Sequence, residues 1–132
     1  MEYQAQLDCP VRAVFARMAD PARLGEWLRE VVTGPATPPD RLEAPFPLTI
    51  HADVADTGAV GEITAYEPPW LVGYRLVAGP RSCLLRVTCT AHDGGTQVHV
   101  HQACDGAPLT VDLYRLQLAL AASTSAPQTP TA

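Results

Sequence analysis

The sequence predicts an α+β domain in which a curved antiparallel sheet wraps around a long C-terminal helix, with two short helices after the first strand. Three observations predict it. Leu109, Leu113, Leu116 and Leu120 fall at i, i+4, i+7 and i+11 within Pro108–Ala122, one apolar stripe of a helix. Several short segments before it alternate apolar and polar residues, the period of half-buried strands. Pro10 and the pair Asp20-Pro21 are helix-opening signals directly after the first of these segments. Both the sheet and the helix then have an apolar face to bury, and curling the sheet around the helix buries both.

Taken in order, Glu2–Asp8 places Tyr3, Ala5 and Leu7 on one side and Glu2, Gln4 and Gln6 on the other, an outer strand. Pro10 opens a helix with Val11, Val14, Phe15 and Met18 on the buried face and Arg12, Ala13 and Arg17 on the other side. Asp20 and Pro21 open the second, burying Leu24, Trp27 and Leu28. Glu30–Thr33 reads as a short strand. Gly34–Pro47 carries five prolines and reads as a loop inside the domain. Leu48, Ile50, Ala52 and Val54 alternate with Thr49, His51 and Asp53. A turn at the DTGAVG run and a strand from Glu62 to Tyr66 complete a hairpin. Glu67-Pro68-Pro69 ends that strand, and Val72, Tyr74 and Leu76 alternate in the next, up to Gly79-Pro80.

The clearest hairpin spans Ser82–Cys104. A two-residue turn at Asp93-Gly94 sets Cys89 opposite Val98, Val87 opposite Val100, Leu85 opposite Gln102 and Cys83 opposite Cys104. A turn at Gly94-Gly95 keeps the same faces but pairs Cys104 with Leu85. One face is almost wholly apolar; Arg86, Thr88, Thr90, Gln97, His99 and His101 make the other, wet face. Residues 123–132, STSAPQTPTA, lack large apolar side chains and are expected to be disordered, so that residues 1–122 form a single domain.

With 132 residues, 47% of them hydrophobic, one core is expected. A net charge of -5 without a basic cluster argues against nucleic acid or an anionic membrane as partner. No apolar run is long enough to span a bilayer, and MEYQAQLDCP lacks the regions of a secretion signal, which leads to a cytoplasmic assignment. Cys9, Cys83, Cys89 and Cys104 have no CxxC spacing and are expected to be free thiols acting as small apolar residues. His99 and His101 share a strand face, but a zinc site needs a further protein ligand, and nothing in the spacing of His51 or His92 supplies one. Neither a metal nor any other cofactor is expected. GxSxG, HExxH and Gly-rich phosphate loops are absent from the sequence.

Pro10-Val11-Arg12-Ala13-Val14-Phe15, followed by Asp20-Pro21 and Trp27, and the segment from Gly61-Glu62-Ile63 through Glu67-Pro68-Pro69 to Tyr74-Arg75 resemble the START and polyketide-cyclase-like (SRPBCC) superfamily. The resemblance covers roughly residues 1–122 and rests on fold-setting residues. It implies the helix-grip fold, with sheet and long helix enclosing a cavity for a hydrophobic small molecule. A monomer or homodimer is expected. The C-terminal helix is short for such a protein, and the Pro-rich loop replaces much of the second and third strands. The register the resemblance implies points Tyr74 inward with Val72 and Leu76, and Gln102 is the lone polar residue on the inner face of the last hairpin. Tyr114 flanks the leucine stripe.

The expected cavity lining is Phe15, Trp27, Tyr74, Leu85, Val87, Val100, Gln102, Leu113 and Leu116. Glu62, Tyr66 and Tyr74 are the candidate acid–base groups. Glu62, Thr64 and Tyr66 share one strand face and Ile63 and Ala65 the other, and alternation leaves open which is inside. A carboxylate inside an apolar cavity would have its pKa raised toward the range useful for proton transfer. The expected function is binding or carrying a hydrophobic, cyclic or aromatic, polyketide-like molecule. The alternative is a cyclase or aromatase using those three residues, and protein interaction ranks last because no exposed apolar stripe is visible.

Overall fold

The computed structural model describes residues 1–52 and 55–125. Seven strands form one antiparallel sheet: β1 (Glu2–Leu7), β2 (Val31–Thr33), β3 (Phe46–Ala52), β4 (Ala55–Glu67), β5 (Leu71–Ala78), β6 (Arg81–His92) and β7 (Gly95–Asp105). Their order across the sheet is β1-β7-β6-β5-β4-β3-β2. β2 to β7 are therefore a meander, and β1 pairs with β7, an outer strand as expected. The chain crosses from one sheet edge to the other through α1 (Val11–Met18) and a 3₁₀ helix (Pro21–Glu26), and ends in α2 (Leu113–Ser125). Val14, Phe15, Met18, Leu24, Trp27 and Leu28 are buried and join the inward residues of the strands in one core.

The last hairpin has the expected register, with Leu85 opposite Gln102 and Val87 opposite Val100. Asp93 and Gly94 both have positive φ, 50° and 78°, which is what a two-residue turn matched to the strand twist requires.

Elsewhere, tertiary contacts override local signals. The second helical segment is 3₁₀, although Asp20 caps it as expected by accepting from Ala22 N–H. The DTGAVG run is not a turn but part of β4, where Gly58 pairs with Thr49 and Gly61 with Phe46. Gly61 serves close packing, since a Cβ there would lie 2.5 Å from Cζ of the Phe46 ring. β3 ends at Ala52 and β4 begins at Ala55, which pair with each other; the expected alternation of Asp53 and Val54 lies outside the described residues. Pro47 belongs to β3 rather than the loop, beyond the Thr33–Thr49 pair where β2 stops.

The largest correction concerns the C-terminal helix, which begins at Leu113 and not at Pro108. Residues 109–112 are held extended by hydrogen bonds to groups outside the segment. The Gln102 side chain accepts from Leu109 N–H (2.8 Å) and donates to Leu109 C=O (3.0 Å). Arg29 N–H donates to Thr110 C=O, Asp112 N–H donates to Trp27 C=O, and the Glu30 carboxylate accepts from Thr110 N–H and Oγ1. Asp112 then caps α2 by accepting from Arg115 N–H at 3.0 Å. Leu109 stays buried with Leu113, Leu116 and Leu120, so its place in the apolar set holds without helical geometry. α2 also continues to Ser125, into the segment expected to be a disordered tail; residues 126–132 lie outside the described residues.

Two further expectations change. Cys83 and Cys104 are joined as a disulfide, which corrects the expectation of four free thiols; Cys9 and Cys89 are free and buried. On the outer sheet face, Val60 and its cross-strand partner Val77 are exposed, as is Leu84, so that face carries an apolar group not visible in the sequence. Among the described residues no helix is long and apolar enough to cross a membrane.

Candidate functional site

One face of α1 builds the wall of a cleft. Arg12, Phe15, Ala16 and Ala19 stand at i, i+3, i+4 and i+7, so their side chains lie along one line of the helix. Opposite them, β4 contributes Ile63 and Tyr66. Strict alternation would put these two on different faces, but a bulge between Ile63 and Ala65 inserts one residue and turns Tyr66 to the side of Ile63. The rings of Phe15 and Tyr66 are 5.7 Å apart and tilted by 42°. Pro38, Pro39, Asp40, Arg41 and Leu42 form the outer rim and Pro68-Pro69 the end wall. The rim loop is tied to β4 by Glu43 N–H donating to Ile63 C=O at 2.9 Å. The cleft is open to solvent on its outer side and has a volume of about 730 Å³.

The charges around this cleft are unequally matched. Asp20 is engaged by Ala22 N–H and by Arg23 at 3.5 Å, and Asp40 faces Arg41 at 3.6 Å. Arg12 is exposed and has no hydrogen-bond or ion-pair partner among the described residues.

Of the expected site residues, Phe15 and Tyr66 border the cleft. Glu62 is on the outer face of the sheet, 3.7 Å from Arg75, its cross-strand neighbour, and away from the cleft. Tyr74 does point inward, but it is fully buried and its hydroxyl donates to Met18 C=O at 2.7 Å. Burial, with a smaller contribution from Asp20, pushes its pKa well above the ordinary tyrosine value. Trp27 lies beside Tyr74, with ring centroids 6.3 Å apart, and its buried Nε1 has no hydrogen-bond partner among the described residues. Leu85, Val87, Val100, Leu113 and Leu116 are buried in the same core cluster, and Gln102 spends its amide on Leu109. None of these borders the cleft. Tyr114 is exposed.

The histidines lie at three places in the fold. His99 and His101 both bond the Glu2 carboxylate on the outer face, and those two hydrogen bonds, His99 first, hold the Glu2 carboxyl below its ordinary value. His51 pairs with Asp56, and His92 with Gln6. Among the described residues no group of three or more His, Cys, Asp or Glu is placed to hold a metal ion. Burial pushes the Cys89 thiol up to about 12, so it stays protonated near neutral pH and is a poor nucleophile.

Sequence reasoning assigned Arg12 to the solvent side of α1 and missed Ile63 and Pro68-Pro69 as wall elements, while the Pro-rich loop 34–47 is read from the sequence as a rim of the cavity mouth. The i, i+3, i+4, i+7 set of Arg12, Phe15, Ala16 and Ala19 was a usable signal; the β4 bulge had none.

A seven-stranded antiparallel sheet curled against a C-terminal helix, with two short helices inserted after the first strand, defines a helix-grip protein of the SRPBCC type. Residues 1–123 match the family model described as polyketide cyclase / dehydrase and lipid transport, and the chain belongs to that family. No curated protein matches the sequence significantly. Among solved structures, a Chromobacterium violaceum protein shares the fold with a TM-score of 0.67 at 14% identity, covering 97% of each chain. Ara h 8.0201 is similar with a TM-score of 0.61 at 14% identity, covering 96% of this chain and 89% of that one. DynU16, a protein of the dynemicin biosynthetic locus, gives 0.56 at 21% identity; the match covers 82% of this chain and 38% of DynU16.

Proposed function

We propose that this chain binds a hydrophobic, cyclic or aromatic small molecule of polyketide type in the cleft between α1, the rim loop and β4, acting as a binding or carrier protein. The observation that carries this reading is the cleft itself: about 730 Å³, within the range of small-molecule sites, with the Phe15–Tyr66 ring pair, Ile63 and five prolines as its apolar surface. Membership of the polyketide cyclase / dehydrase and lipid transport family supports the ligand class. The carrier reading is preferred over catalysis because the acid–base candidates are not assembled. Glu62 is turned away and Tyr74 is committed to Met18 C=O, which leaves Tyr66 alone at the cleft.

Tyr66 is also the observation that keeps a cyclase or aromatase as the second reading. A half-exposed phenol over a bound polyketone could donate a proton to an enolate oxygen. Titration with the neutral dye N-phenyl-1-naphthylamine tests the binding reading. Its fluorescence should rise and saturate with the wild-type chain. Ala16→Trp, at an exposed position on the cleft wall, should abolish the rise without lowering the melting temperature. Equal dye binding by Ala16→Trp would refute the assignment of the cleft. Incubation with a linear aromatic-forming polyketone then separates the roles. A carrier gives no product, whereas a cyclase gives product at a rate that Tyr66→Phe lowers with little change in affinity.

A further inference from the structure

We propose that the ligand of this cleft is an aromatic anion whose acidic group is seated on Arg12; the inference rests on the cleft being the binding site and adds the ligand's charge and orientation. Among the described residues, four carboxylate or guanidinium side chains border the cleft, and three are already matched. Asp20 caps the 3₁₀ helix and faces Arg23, and Asp40 and Arg41 face each other. Arg12 is left as the unmatched cation on a chain whose net charge is -5, so an unpaired positive group in a concave site is contrary to the molecule's average.

Its position relative to the rings is specific. Arg12 is three residues before Phe15 on the same helix face, so the two Cα atoms are separated by roughly 4.5 Å along the helix axis and both side chains border the cleft. Ala16 and Ala19 continue that face with methyl groups only, which leaves the space over them free for a flat ring lying against Phe15 and Tyr66. A carboxylate or sulfonate attached directly to such a ring would reach the planar N–H fork of Arg12, a donor pattern suited to two parallel hydrogen bonds. A neutral ring would use the same floor and leave the guanidinium to water.

Two dyes that differ by one sulfonate isolate this charge: 8-anilino-1-naphthalenesulfonate and N-phenyl-1-naphthylamine. Arg12→Gln should weaken the sulfonate dye by about tenfold or more and leave the neutral dye within about twofold, because a charge-assisted hydrogen bond is lost with the apolar floor intact. Added salt should lower the wild-type affinity for the sulfonate dye toward that of Arg12→Gln. Arg12 is exposed, so an unchanged melting temperature is expected and verifies that the fold is intact. Ala16→Trp should remove both dyes. If Arg12→Gln binds both dyes as the wild type does while Ala16→Trp binds neither, the cleft stands and the anionic ligand is refuted. If Ala16→Trp binds both normally, or the wild type binds neither, the cleft assignment falls and this inference with it.

Discussion

Replacing Gln102 by Leu separates a structural clamp from a ligand contact. The Gln102 side chain is 1% exposed and its amide holds both backbone groups of Leu109, N–H at 2.8 Å and C=O at 3.0 Å, where the chain must remain extended before α2 starts. Leucine nearly preserves the volume but orphans both groups, at about 1–3 kcal/mol each. The extra apolar burial offsets roughly 1–2 kcal/mol, so the net loss should be about 1–4 kcal/mol. A chain of this length has roughly 7–20 kcal/mol of stability, so the variant should fold. Its urea midpoint by far-ultraviolet circular dichroism should drop with the slope unchanged, and the melting temperature should fall by about 10 °C. Gln97→Leu, on the outer face of the same strand, should change stability by no more than about 0.5 kcal/mol. A loss below about 1 kcal/mol for Gln102→Leu would show that the clamp does not hold the 109–112 segment.

Leu116→Phe should lose about 1–3 kcal/mol in the same melt, because Leu116 is fully buried and the larger ring must be forced into packed surroundings; a neutral change would reveal empty space beside α2. Thiol titration under denaturing conditions without reductant should count two, from Cys9 and Cys89, and four after reduction; four without reductant would refute the Cys83–Cys104 bond. The Asp112 carboxyl is held below its ordinary value of 3.8 first by Arg115 N–H and then by Arg29. A depressed folded-state pKa contributes stability above the unfolded value, and that contribution disappears as pH falls through the folded one. Asp112→Asn should therefore melt below the wild type at pH 7, with the gap closing as pH drops from about 4 toward 2. A gap that is independent of pH would assign the effect to shape alone.

The sequence by itself determined what is local: the alternation of β1, β5, β6 and β7, the buried face of α1, the Asp20-Pro21 helix start and the register of the last hairpin. In each case the deciding contacts are between residues close in the chain, and in the hairpin the Asp93-Gly94 turn transmits one local geometry along both strands. Only the tertiary structure decided the start of α2, the continuation of β4 through Gly58 and Gly61, and the cleft. Pro108–Asp112 has a helical apolar pattern, but Gln102, Arg29, Glu30 and Trp27 bond its backbone in an extended form, and the last three are about 80 residues away in the chain. Gly61 reads as a turn residue until the Phe46 ring occupies the place of its side chain. The bulge that brings Tyr66 beside Phe15 shifts periodicity by one residue without any marker in composition, so the face of Glu62 and the floor of the cleft were settled together by strand pairing.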